Sequence, residues 1–229
     1  MSAGSVSGGR SAGSGRARPS AEWMLSCGDD VEEEVRRLLE AGVDVNESGS
    51  GGRVLLHRAA RDGLVGAVKV LLGVPGIEVN LADKDGWTPL SLASSEGQAE
   101  VVSLLLTAPG INVSLADVVR RTPLSVASYK GHSEVVSLLL GVPGMDINVV
   151  DIDGRTPLYL ASSSGHSEVV SLLLGMPEID VNRADKLGLN PLNCAASQGH
   201  YQAVVHLLRA PGISINVTDK VGRTPLSVA

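Results

Sequence analysis

Asp83-Lys84-Asp85-Gly86-Trp87-Thr88-Pro89-Leu90 is the stretch that decides the fold. Its last three residues return as Thr122-Pro123-Leu124, Thr156-Pro157-Leu158, Asn190-Pro191-Leu192 and Thr224-Pro225-Leu226, 34 residues apart each time. A fixed period of that size marks stacked supersecondary units, none of which can bury its apolar face alone. Within one unit, a polar turn containing Gly86 leads to a Thr N-cap. Pro89 follows at the first helical position, where its missing N–H would have had no intrahelical partner anyway. The sequence predicts a short helix over 89–96, a stop at Gly97, and a second helix running back with Val101, Val102, Leu104, Leu105 and Leu106 on it. Pro109-Gly110 ends that helix and turns the chain outward to the next unit.

Three further signals share this register: the Asp-x-x-Gly-x-Thr-Pro-Leu turn itself, Gly-His at Gly131-His132, Gly165-His166 and Gly199-His200, and Val-Asn at Val79-Asn80 and Val181-Asn182. Together they resemble the ankyrin repeat, over residues 21–229. The resemblance implies an all-α solenoid of antiparallel helix pairs with β-turn fingers. It divides the chain into a Gly/Ser/Arg-rich tail at 1–20, expected to be disordered, and an array from 21 onward. The array opens with an N-terminal helix pair at 21–46, its first helix carrying Trp23, Met24 and Leu25 and its second running over 31–41. Full units are expected at 47–80, 81–114, 115–148, 149–182 and 183–216, and a truncated one at 217–229. The period exceeds the family's usual length by one residue, which the spacing places in the Pro-Gly return loop, away from the fingers.

Composition excludes several function classes. A net charge of −6 and a pI of about 5.4 argue against a general nucleic-acid binder, since phosphate affinity needs a clustered excess of Lys and Arg. No apolar run approaches the ~20 residues of a membrane span, and residues 1–20 lack the apolar core of a secretory signal. The chain reads as intracellular and cytoplasmic, with the nucleus as the alternative, and without a membrane partner. Cys27 and Cys194 form no metal or disulfide motif, so both thiols are expected reduced and unbonded. His132, His166 and His200 recur one unit apart, about a helix diameter of ~10 Å, too far to share a metal. They read as supports for the inter-helix turns. No motif for catalysis, a cofactor or a metal stands out, so none is assigned.

The resemblance implies binding through the concave face, where variable positions at the finger tips and near the end of helix one make the contacts. Here those are Trp87, Val118, Val119, Arg121, Tyr129, Lys130, Ile152, Arg155, Lys186, Leu187 and Leu189. The unit at 115–148 departs from the others, with Arg120 where the other full fingers carry Gly. A turn that still needs a left-handed residue there would lose about 1 kcal/mol. Nine basic residues stand against Asp62, Asp85, Glu96 and Asp153 on this face, which points to an acidic, partly apolar strand or loop of a protein partner. A monomer is expected unless the uncapped C-terminal end self-associates. The alternative function is a targeting or adaptor segment of a larger polypeptide, an enzyme, channel or ubiquitin-ligase component, cut off at Ala229.

Overall fold

The computed structural model describes residues 31–228. The expected tail, the first N-terminal helix with Trp23, Met24 and Leu25, the residue Cys27, and Ala229 lie outside the described residues. Within them the helices are α1 (Val31–Glu40), α2 (Leu55–Arg61), α3 (Val65–Leu72), α4 (Pro89–Ser95), α5 (Ala99–Leu106) and α6 (Pro123–Lys130). They continue as α7 (Ser133–Leu140), α8 (Pro157–Ser163), α9 (Ser167–Leu174), α10 (Pro191–Ser197), α11 (Tyr201–Leu208) and α12 (Pro225–Val228). No β-strand occurs among the described residues.

Even-numbered helices pack on one another in chain order, α2 on α4 through to α12, and odd-numbered helices do the same from α1 to α11. The result is two helical layers with successive pairs stacked side by side. Four of the six even helices, α4, α6, α8 and α10, begin with the side-chain cap that their sequence supplies. Thr88 Oγ1 accepts the Ser91 N–H at 3.2 Å, and Thr122 and Thr156 cap Ser125 and Tyr159 likewise. Asn190 and Asn193 cap each other reciprocally at 2.8 and 3.2 Å. Loss of one such cap typically costs ~1 kcal/mol.

The core follows the period. Leu56, Leu90, Leu124, Leu158 and Leu192 from the even layer meet Leu71, Leu105, Leu139, Leu173 and Leu207 from the odd layer, and all ten are buried. Each such side chain contributes ~1.5–3 kcal/mol when removed from water. With Phe absent, these leucines and the alanines Ala59, Ala93, Ala127, Ala161 and Ala195 let neighbouring helices approach closely.

Polar devices fix the stacking of units. Asn80 donates from Nδ2 to the Gly110 carbonyl at 2.7 Å and accepts the Asn112 N–H at 2.9 Å. Asn46, Asn148 and Asn182 make the same pair of bonds one unit ahead. These asparagines join consecutive return loops rather than a loop to a finger. On the opposite edge, His132, His166 and His200 donate from Nε2 to the carbonyls of Ser95, Tyr129 and Ser163 in the preceding unit, at 2.9–3.1 Å.

Candidate interaction face

Each finger is organised by its first residue. Asp83 is nearly buried, and its Oδ1 accepts the N–H groups of Asp85 at 3.0 Å and Trp87 at 2.9 Å. The same two bonds recur at Asp117, Asp151, Asp185 and Asp219. The second carboxylate oxygen takes a cation in four of the five fingers: Arg53 on Asp83, Arg121 on Asp117, Arg155 on Asp151 and Arg223 on Asp219, at 2.7–2.9 Å. Burial works to raise the Asp83 pKa, but the Arg53 hydrogen bond and the two backbone N–H groups outweigh it and hold the carboxyl below its usual range. Asp219 behaves the same way, with its backbone N–H donors and Arg223 outweighing burial. These aspartates open the finger motif in the sequence, and their strict recurrence is the signal of a role that the motif alone does not assign.

The fingers are also joined to one another. Lys84, Val118, Ile152, Lys186 and Lys220 donate their backbone N–H to the carbonyls of Gly51, Asp85, Val119, Asp153 and Leu187 in the preceding finger, at 2.8–3.1 Å. A continuous row of single bonds therefore runs along the finger edge. Close approach explains the glycine at the fourth position. Gly86 has φ of 81°, and a Cβ there would stand 2.9 Å from the backbone of Asp117 and Val118. Arg120 occupies that position with φ of 63°, so the turn does keep its left-handed residue and Arg120 carries the strain.

This framework sorts the sequence-predicted contact residues. Val118, Ile152 and Leu187 project from successive finger tips, 68%, 42% and 64% exposed, and Val221 continues their line at 73%. Tyr129 and Lys130, at the end of α6, and Lys186 are exposed as well, whereas Trp87, Val119 and Leu189 are half-buried. The Arg121 guanidinium lies over the Trp87 ring, 5.4 Å from its centre, a cation–π contact that spans two fingers. Arg121 and Arg155 are therefore parts of the finger framework with one edge exposed, rather than uncommitted cations. The charge count changes accordingly. Once the five finger aspartates are included, the surplus of five positive charges on this face vanishes.

The Asp185 finger is built differently. Leu189 stands where three other fingers carry Arg, and the Tyr159 hydroxyl from the preceding unit donates to Asp185 Oδ2 at 2.8 Å instead. Tyr159 also lies beside the thiol of Cys194, which burial pushes up to about 11. Cys194 is a free, buried cysteine. In the first unit His57 plays the cross-unit role, its Nδ1 accepting the Val54 N–H at 3.2 Å and its Nε2 donating to the Trp87 carbonyl at 2.9 Å. Among the described residues, no group of three or more His, Cys, Asp or Glu is placed to hold a metal ion, and no helix is long and apolar enough to cross a membrane.

Paired helices stacked in two layers, a hydrogen-bonded row of Asp-anchored fingers and Gly-His turns define a helical repeat array built for its surface. The family model for ankyrin repeats in three copies matches residues 56–151 and 124–219, and the chain belongs to the ankyrin repeat family. No curated protein matches the chain significantly. Ankyrin repeats are in general protein–protein interaction modules, and typically noncatalytic.

Proposed function

We propose that the chain is a noncatalytic recognition module that binds a protein partner along its finger tips and the adjoining ends of the even-numbered helices. The observation that carries this reading is the line of exposed aliphatic side chains Val118, Ile152, Leu187 and Val221 on successive fingers. The finger framework holds their backbone in place before any partner arrives, so little ordering entropy opposes binding there. Trp87, Arg121 and Tyr129 flank the line, and Trp, Tyr and Arg are the types enriched among residues that dominate binding energy. Because the face is neutral overall, apolar contact with an extended segment supplies the affinity, and acidic groups on the partner act locally rather than by steering.

The test is affinity capture from cell extract with the parent chain, a Val118→Ser/Leu187→Ser variant and a return-loop control, Glu178→Lys. A partner retained by parent and control but lost about tenfold with the finger variant supports the reading. A partner lost with Glu178→Lys and indifferent to the finger variant places recognition on the opposite edge.

A further inference from the structure

The return loops are clamped to one another along the array, with one exception. Asn46, Asn80, Asn148 and Asn182 each donate Nδ2 to a carbonyl of the following return loop and accept an N–H two residues further on. Ser114 holds this register at the boundary between 81–114 and 115–148, and no side-chain bond joins it to the next loop. The counterparts there of the Gly110 carbonyl and the Asn112 N–H belong to Gly144 and Asp146, which are exposed, and the two groups have no partner among the described residues. The finger side of the same boundary is closely packed. A Cβ on Gly86 would stand 2.9 Å from the backbone of Asp117 and Val118, against nearest approaches of 3.3, 3.3 and 3.1 Å at Gly52, Gly154 and Gly188. The Val118 N–H also bonds the Asp85 carbonyl at 3.0 Å, and Arg121 stacks on Trp87 across the boundary.

We propose that this boundary is a hinge of the array, pivoting on the Trp87 and Asp117 fingers and opening at the return loops. In a stack where each unit contacts only its neighbours, bending is taken up at the junctions. At the clamped junctions, parting two return loops breaks two side-chain bonds to buried or half-ordered backbone. Here the corresponding groups already face water, so the loops separate without that loss, and motion concentrates where the least is broken. The finger bond, the Trp87–Arg121 stack and the bond from His132 to the Ser95 carbonyl hold the two units together meanwhile. The hinge therefore changes the angle between two blocks of the finger row, with Lys84 and Trp87 on one side and Val118, Ile152 and Leu187 on the other. Its use in fitting one face to a partner segment rests on the recognition reading above; the hinge itself does not.

The test places nitroxide spin labels on the odd helices of the full chain carrying Cys27→Ser, the remaining Cys194 being buried. Glu100→Cys/Glu168→Cys spans the hinge and one clamped boundary, whereas Glu134→Cys/Gln202→Cys spans two clamped boundaries. All four positions are exposed, and each pair lies two units apart, ~20 Å at about one helix diameter per unit. Double electron–electron resonance should give the wider distance distribution for the first pair. Ser114→Asn should narrow it to the width of the second and slow exchange of the Asp146 amide by about tenfold as the clamp forms. Asn148→Ser, which removes a clamp, should widen the second pair. Equal widths for the two pairs in the parent would overturn the hinge, and so would a first pair left unchanged once Asp146 exchange has slowed. Where exchange does not slow, the parent comparison alone decides. No partner enters the measurement, so its outcome is independent of where recognition takes place.

Discussion

The Arg121 guanidinium sits 5.4 Å from the centre of the Trp87 ring while its Nη2 lies 2.7 Å from Asp117 Oδ2. One side chain therefore stacks on the preceding finger and neutralises the buried acid of its own. Arg121→Lys keeps the charge but loses the planar stack and the second N–H contact, and should lower stability by ~1 kcal/mol. Arg121→Glu leaves Asp117 buried beside a second negative charge, and should cost ~3 kcal/mol. Urea unfolding of both variants checks this. A charge reversal that unfolds at the parent's midpoint would show that the finger does not depend on its arginine. Arg121→Glu is consequently a poor probe of binding alone, and Trp87→Ala is the cleaner one.

The junctions around the unit at 115–148 are weaker than their neighbours for two separate reasons. Arg120 holds φ of 63° in place of glycine, and Ser114 stands where Asn46, Asn80, Asn148 and Asn182 clamp the next return loop. Arg120→Gly should therefore stabilise the array by up to ~1 kcal/mol, less whatever glycine adds to the freedom of the unfolded chain. Ser114→Asn should add a further ~1 kcal/mol through two bonds to the loop at 144–146. The measurement is the urea midpoint at unchanged slope, with slower exchange of the Asp146 amide in the second variant. A drop in stability for Arg120→Gly would mean that the arginine side chain makes contacts worth more than its backbone strain.

The array itself was legible because its signals are local: Thr-Pro caps, Gly stops and aliphatic helices repeat at one spacing, so each unit confirms the next. Tip residues such as Val118 and Leu187 could likewise be placed from register alone. What register could not supply was the identity of each partner. Asp83 pairs with Arg53, 30 residues earlier, whereas Asp117 pairs with Arg121 in its own finger. Asp185 uses Tyr159, 26 residues away. These pairings depend on which neighbour happens to carry a long donor, and that is a property of the stack. The positive surplus counted from sequence fails for the same reason, since register alone does not bring the finger aspartates that cancel it into the count on that face.

Glycines at the inter-helix turns do two jobs, and the chain offers an internal control. Gly131 has φ of 81°, and a Cβ there would run into the ring of His166 in the next unit; Gly199 has φ of 71° with nothing within 4 Å. Gly199→Ala should cost only the left-handed strain, ~1 kcal/mol. Gly131→Ala adds displacement of His166 and the weakening of its bond to Tyr129, and should cost ~2 kcal/mol or more. Thermal melts of the two variants give the comparison. Equal losses would mean that the histidine yields without penalty.

Cys194 should be inert in the folded chain. Burial, partly offset by the Tyr159 hydroxyl, pushes its thiol up to about 11, so little thiolate exists at pH 8. Iodoacetamide at that pH is expected to label Cys194 only on unfolding, with peptide mapping used to score Cys27 separately. Tyr159→Phe removes the hydroxyl beside the thiol and with it the donor to Asp185. Its signature should be lower stability of the Asp185 finger without faster labelling in the folded state. Rapid alkylation of native Cys194 would contradict the packing around it.

Acid should loosen the first full unit before Asp83 titrates. His57 is buried, and desolvation lowers its pKa despite the opposing Trp87 carbonyl and Asp83 and with Arg53 adding to the decrease. Its bonds explain why the neutral ring is required: Nδ1 accepts the Val54 N–H, so a proton there would set two donors against each other. In the unfolded chain His57 takes a proton near the ordinary value of ~6.5, whereas the folded chain resists until a lower pH. Between those two values the unfolded state binds more protons, so stability falls as pH falls, by at most ~1.4 kcal/mol per pH unit for this one group. Asp83, held below the usual carboxylate range, retains its contribution through this window and loses it only at more acid pH. Urea unfolding at pH 7.5 and pH 5.5 should therefore show a loss in the parent that shrinks in His57→Gln. Amide exchange should place it at α2 and the 81–87 turn, where His57 meets Trp87. Equal stability at the two pH values in the parent would show that His57 titrates normally and that its cross-unit bond survives protonation.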